Sequence, residues 1–182
     1  MPSSYDTIVI GAGPGGEVCA GVLGQAGQRV AIVERELVAG ECSYWACMPT
    51  KVLLRPPEAV EGARRAPGSR RAVTGGPDVA ETLAWRDRIV HGYDDAGQLP
   101  WLEDRGIELL RGVGRIAGPG RVRVGDVEHT ADAIVLATGS LAIIPPIPGL
   151  RDLLDISDDN QRVLLHRARA KVRRALEREL GA

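Results

Sequence analysis

The residues best placed to do chemistry are Cys42 and Cys47, five positions apart in Gly40-Glu41-Cys42-Ser43-Tyr44-Trp45-Ala46-Cys47-Met48-Pro49-Thr50-Lys51, residues 40–51. Two thiols this close can cycle between dithiol and disulfide, or they can hold a metal. A regular helix would set them about 7.5 Å apart along its axis, whereas a disulfide wants Cα atoms about 5.5–6 Å apart. A bridge therefore demands a distorted turn. Pro49 suits the first turn of a following helix, so a thiolate at Cys47 would lie near a helix N-terminus, where thiols become reactive. A zinc site would need a second pair, yet Cys19 lies in another segment and His91, His129 and His166 stand alone. Two unrelated buried cysteines are the remaining alternative.

The second constellation is Gly11-Ala12-Gly13-Pro14-Gly15-Gly16. It fits G-x-G-x-x-G, with Gly11 for a tight turn, Gly13 for close approach of a pyrophosphate and Gly16 for helix-to-strand packing. Phosphates would sit against unpaired N–H groups at the start of the next helix, with Gly15 inside the motif. Glu34 follows about twenty residues on, placed to accept hydrogen bonds from a ribose. The motif does not separate FAD from NAD.

These groups need elements to position them. Thr7–Ile10 reads as a buried strand, Gly15–Ala26 as a helix closed by Gly27-Gln28, and Arg29–Glu34 as a second buried strand. Strand, tight turn, helix and strand make a parallel, right-handed βαβ unit. A helix is expected over 49–66, interrupted at Pro56-Pro57, then a Gly-, Pro- and Arg-rich loop over 66–77. A helical pattern over 78–105 ends at Gly106, with strands expected over 107–111, 121–124 and 133–137. Trp85 and Trp101 read as packing residues, Arg64-Arg65 and Arg70-Arg71 as a solvated loop, and Asp94-Asp95 as surface. After Ser157 the chain reads as one Arg-rich helix: Ser157-Asp158-Asp159 offers a cap, and Leu165, Ala168, Val172, Ala175 and Leu176 make a narrow apolar stripe.

The 182 residues are 44% hydrophobic and 26% charged, a globular composition with room for one ordinary domain. A net charge of -1 gives no reason to expect nucleic acid or a membrane surface as partner. The absence of a signal-like start or a long apolar run leads us to expect a cytoplasmic protein. In a reducing compartment, close cysteines suggest redox or metal chemistry ahead of a structural staple.

Taken together, the Gly11–Gly16 turn with Glu34, the Cys42–Cys47 segment ending Pro49-Thr50-Lys51, and Ala137-Thr138-Gly139-Ser140 after a strand resemble the pyridine nucleotide-disulfide oxidoreductase family. That family includes dihydrolipoamide dehydrogenase, glutathione reductase and mercuric reductase. The resemblance covers Tyr5 to about Leu150. It implies an α/β, Rossmann-like FAD/NAD(P)-binding fold with a central parallel sheet. An FAD-binding domain is expected over 1–150, with an Arg-rich helical tail over 151–182. It further implies FAD contacts at Gly11, Gly13, Gly15, Gly16, Glu34, Lys51, Gly114, Thr138, Gly139 and Ser140. Cys47 would be the thiolate stacked on the flavin and Cys42 the outer thiol that exchanges with substrate.

The implied activity carries electrons from NAD(P)H through FAD to the Cys42–Cys47 disulfide and on to a small-molecule or disulfide substrate. A homodimer or a complementing chain is the implied assembly. The usual Gly-Gly-Thr is here Ala39-Gly40-Glu41, the glycine before the second cysteine is Ala46, and Tyr44-Trp45 replaces a small or amide pair. These departures suggest a divergent subgroup. The family's NAD(P)H domain, second flavin segment and His-Glu dyad are not recognisable after Leu150, so a truncated chain is expected. Two other readings stand beside the enzyme: a flavin-binding fragment without turnover, and an interaction protein using the basic C-terminal helix.

Overall fold

A computed structural model describes residues 1, 3–140 and 147–149. The chain divides into two compact units, Met1–Thr138 and Gly139–Ala182. All the helices and strands described belong to the first. The expected basic helix lies outside the described residues.

Six strands form one sheet: β1 (Ser4–Ile10), β2 (Val30–Glu34), β3 (Ile107–Arg111), β4 (Gly114–Gly118), β5 (Arg121–Val124) and β6 (Val127–Leu136). Their spatial order is β3-β2-β1-β6-β5-β4. The four strands β3, β2, β1 and β6 are parallel, as the βαβ reading requires. The rest of the sheet is antiparallel, because β5 pairs back on β6 and β4 on β5. The sheet is thus mixed around a parallel centre. The strand β4 was not foreseen. Its sequence, Gly-Arg-Ile-Ala-Gly, has little intrinsic strand preference, and pairing of Gly114 with Val124 and Ile116 with Val122 makes the strand.

The central strand β1 pairs on both sides, Ile8 with Ala31 and Ile134, Ile10 with Val33 and Leu136. Covered on both faces, such a strand reads as an unbroken apolar run. Ile8 and Ile10 pack with Ala31, Val33, Val122 and Val124 on one face. Val9 packs on the other with Ile32, Ala20, Val38, Leu102 and Ile107. The helix α1 (Pro14–Gln25) lies on that second face. Gly21 admits Trp101, whose Cη2 would be 2.9 Å from any added Cβ, so Trp101 is a packing residue as expected.

Two helical expectations need correction. The helix α3 (Cys47–Arg65), which follows the short α2 (Gly40–Tyr44), begins two residues before Pro49 and continues through Pro56 and Pro57. Each proline removes a backbone donor, and the remaining turns hold the helix together. The stretch over 78–105 is not one helix. It divides into α4 (Val79–Ile89), 3-10 turns at His91–Tyr93 and Ala96–Gln98, and α5 (Leu99–Glu103). His91, Gly92 and Tyr93 take φ of 51°, 61° and 65°, which no right-handed helix can absorb. Asp78 caps α4, its carboxylate accepting from the Glu81 N–H at 2.9 Å.

Candidate functional site

The glycine turn joins β1 to α1 at the carboxyl end of the parallel strands. Gly11 has φ of 106°, and a Cβ there would lie 2.2 Å from the Ala137 carbonyl oxygen. A Cβ on Gly16 would lie 1.8 Å from the Gly11 oxygen. Both positions are closed to any side chain. Gly13 and Gly15 differ: nothing among the described residues comes within 4 Å of the Cβ each lacks. Gly13 is the N-cap of α1 and makes no side-chain cap bond. The turn therefore offers open backbone and first-turn N–H groups with no internal partner, which suits an anion.

Glu34 closes the turn from the side. Its Oε2 accepts from the Ala12 N–H at 2.8 Å and its Oε1 from the Glu36 N–H at 2.8 Å. Each oxygen keeps a further lone pair for a hydroxyl donor. Gly114 sits over the same strand ends, a Cβ there meeting Ile10 and Val33 side chains at 3.0 and 3.1 Å. Thr138 lies beside Gly11, its Cα 3.2 Å from the absent Cβ. Gly139, with φ of 68°, and the exposed Ser140 open the second unit.

The cysteine segment is bonded directly to this turn. The Ala39 N–H donates to the Ala12 carbonyl at 2.8 Å, and a Cβ on Gly40 would lie 2.7 Å from the Gly13 Cα. After Tyr44 the helix stops, Trp45 and Ala46 leave helical geometry, and α3 restarts at Cys47. That break supplies the distortion the cysteine spacing demands. Cys42 and Cys47 are free thiols in hydrogen-bond contact. The hydrogen bond to Cys47 pushes the Cys42 thiol up, with burial as the next cause, while the Lys51 charge pulls it down. Cys47 and Lys51 are exposed and Cys42 is half-buried.

Several residues at the site were not anticipated. Asp95, expected on the surface, accepts from the Val38 N–H at 2.7 Å and from Arg111 at 2.7 Å, with its side chain only 13% exposed. No local signal links positions 57 residues apart. Trp45 stacks on Tyr93 with ring centroids 6.4 Å apart, and Tyr44 is buried beneath. The departure at Tyr44-Trp45 thus builds an aromatic cluster with Tyr93 in the segment between the two cysteines and the 3-10 turn at His91–Tyr93. Glu17, in the first turn of α1, has its carboxyl pushed up to about 7 by burial and, second, by the charge of Glu34. Its one sequence signal is an acid directly after the glycine motif.

A family model described as pyridine nucleotide-disulphide oxidoreductase matches residues 5–175. The chain belongs to this family. Among relatives within it, the chain is 31% identical over 154 residues to a dihydrolipoyl dehydrogenase of Acholeplasma laidlawii, covering 84% of this chain and 46% of that protein. It is 31% identical over 160 residues to a glutathione reductase of Burkholderia cepacia, covering 85% and 34%. Among solved structures of the fold, it is similar to the Cu(II) complex of the HOCl-induced flavoprotein disulfide reductase RclA from Escherichia coli. There the TM-score is 0.65 and the identity 25%, over 81% of this chain and 31% of that one. The chain spans less than half the length of these family relatives.

Proposed function

We propose that this chain binds FAD at the Gly11–Gly16 turn and uses Cys42 and Cys47 as the dithiol–disulfide pair of an NAD(P)H-dependent disulfide oxidoreductase. The observation that carries the reading is the contact between the two thiols, on a segment bonded through Ala39 to the dinucleotide turn. The turn fits the cofactor: open backbone at Gly13 and Gly15, uncapped N–H groups for the pyrophosphate, and spare lone pairs on Glu34 for the ribose. Gly114, Thr138, Gly139, Ser140 and Lys51 complete the cofactor set by resemblance.

When bound, the flavin supplies the two-electron chemistry that converts the Cys42–Cys47 disulfide to a dithiol, with NAD(P)H as donor. The cysteines do the rest. Cys42, as thiolate, attacks a disulfide substrate, forming a mixed disulfide and releasing one thiol. Cys47 then attacks the Cys42 sulfur, which releases the second thiol and restores the bridge. Lys51 favours the anionic Cys42 sulfur, against the contact with Cys47 and burial, which keep its proton on. Substrate must reach a half-buried Cys42. The homodimer or complementing chain implied by the resemblance, and the reducing cytoplasm as compartment, belong to this reading.

The test is to load the full chain with FAD and titrate it anaerobically with reductant while counting free thiols. Uptake of two electrons beyond the flavin, lost in Cys47→Ser, supports the reading. Bound flavin whose reduction leaves the thiol count unchanged would reduce the chain to a flavin-binding fragment.

A further inference from the structure

Resting on the reading of Glu34 as the acceptor for a ribose, we propose that Arg111 and Asp95 are positioning residues that hold the Glu34 carboxylate in its hydroxyl-accepting geometry. Arg111 closes β3 directly opposite Glu34 in the parallel register, and the Gly112 N–H donates to the Glu34 carbonyl at 2.8 Å. The Arg111 guanidinium reaches two acceptors: the Glu36 carbonyl, and Asp95 Oδ2 at 2.7 Å. That same Oδ2 accepts from the Val38 N–H at 2.7 Å.

These bonds close a ring that begins and ends on Glu34. Its Oε1 accepts from the Glu36 N–H, and Arg111 holds the carbonyl of that same residue. From Arg111 the ring passes to Asp95, and from Asp95 to Val38. The next N–H, of Ala39, donates to the Ala12 carbonyl, and the Ala12 N–H donates back to Glu34 Oε2. The side chains in the ring are Glu34, Arg111 and Asp95, and every other member is main chain. The turn over 36–39 thus hangs from Glu34 at one end, from Ala12 at the other, and from Arg111 and Asp95 between them.

As an ion pair Arg111–Asp95 is screened by solvent, because the Arg111 side chain is 41% exposed. Its geometry matters more. A planar guanidinium fork fixes two acceptors at once, which a lysine ammonium does not do. Without the fork the Glu36 residue is released, and Glu34 Oε1 loses the donor that sets the plane of its carboxylate. Only the bond to Ala12 then remains, and the carboxylate can turn about it. A group that must be ordered at the moment of binding gives less affinity than one already held. The loss falls on the ribose hydroxyls and not on the phosphates, which separates positioning from a general loosening of the site.

The experiment compares two probes on the full chain by titration calorimetry: ADP, and 2′,3′-dideoxy-ADP, which keeps the phosphates and lacks both ribose hydroxyls. Wild type should prefer ADP by about tenfold or more, the worth of a hydrogen bond to a charged group. Arg111→Met, Arg111→Lys and Asp95→Ala should each bring that ratio towards one. Asp95→Asn keeps an acceptor for both Val38 and Arg111 and should keep the preference. If Arg111→Met does not fold, Arg111→Lys decides. A ratio that survives in the Arg111 variants, with both probes weakened alike or not at all, overturns the inference and leaves the ribose reading standing. So does an Asp95→Asn that discriminates no better than Asp95→Ala. A wild type that binds ADP no better than the dideoxy probe, or binds neither, removes the ribose reading and this inference with it.

Discussion

The backbone N–H of Ala39 donates to the carbonyl of Ala12 at 2.8 Å, so the segment carrying the cysteines hangs on the dinucleotide turn by a main-chain bond. Neither side chain takes part. The two chemistries therefore sit together whatever the side chains at 39 and 12, provided the backbone can come this close. Gly40 provides the closeness.

Gly40→Ala should break that approach. Its Cβ would meet the Gly13 Cα at 2.7 Å, a backbone atom that cannot step aside, and its φ of 62° is strained for alanine. A loss of roughly 2–4 kcal/mol is expected in urea unfolding. FAD affinity should fall with it. An alanine variant as stable as wild type would show that the two segments are not held in this contact.

The thiol pair makes a prediction in opposite directions. Cys47→Ala removes the main cause that raises Cys42, so alkylation of Cys42 should shift its midpoint to lower pH. Lys51→Met removes the opposing charge and should shift it to higher pH. Iodoacetamide rates against pH read both. Identical profiles in the two variants would mean that Cys47 and Lys51 do not act on Cys42 in opposite directions.

Asp95 connects three segments, through Val38, Arg111 and its own turn. Asp95→Ala leaves the Val38 N–H without its acceptor and Arg111 with the Glu36 carbonyl but no carboxylate, a cost of about 2 kcal/mol. Asp95→Asn keeps an acceptor for Val38 and should lose about half as much. Equal losses in denaturant would show that the charge, not the acceptor, carries the effect.

Glu17 also makes stability depend on pH, with a definite sign. Its folded value of about 7 lies above the ordinary 4.5, so ionisation is disfavoured by folding. Below the unfolded value both states hold the proton and there is no penalty. The penalty grows as pH rises from 4.5 to 7 and is constant above. Glu17→Gln should therefore match wild type at low pH and be more stable above neutrality, by a margin that solvent screening of this half-exposed carboxyl holds to about 1 kcal/mol. Thermal unfolding at several pH values measures this. A variant that gains nothing at high pH would contradict the burial of this carboxyl.

By itself the sequence determined the parts whose cause is local. The run Thr7–Ile10, the glycine turn and the strand ending at Glu34 are written in neighbouring residues, because apolar periodicity, glycine freedom and capping act over a few positions. The break between Cys42 and Cys47 was legible for the same reason: two fixed lengths, a helical rise and a disulfide span, could not agree. What the tertiary structure decided is what depends on distant partners. Gly114–Gly118 becomes a strand only because Arg121–Val124 lies beside it, and 78–105 breaks where His91 to Tyr93 turn left-handed beneath Trp45. Asp95 leaves the surface because Val38 and Arg111 meet it there. Glu17 reads as an ordinary first-turn acid until folding places Glu34 beside it and removes water, since a carboxyl's charge depends on who surrounds it and not on its own position in the chain.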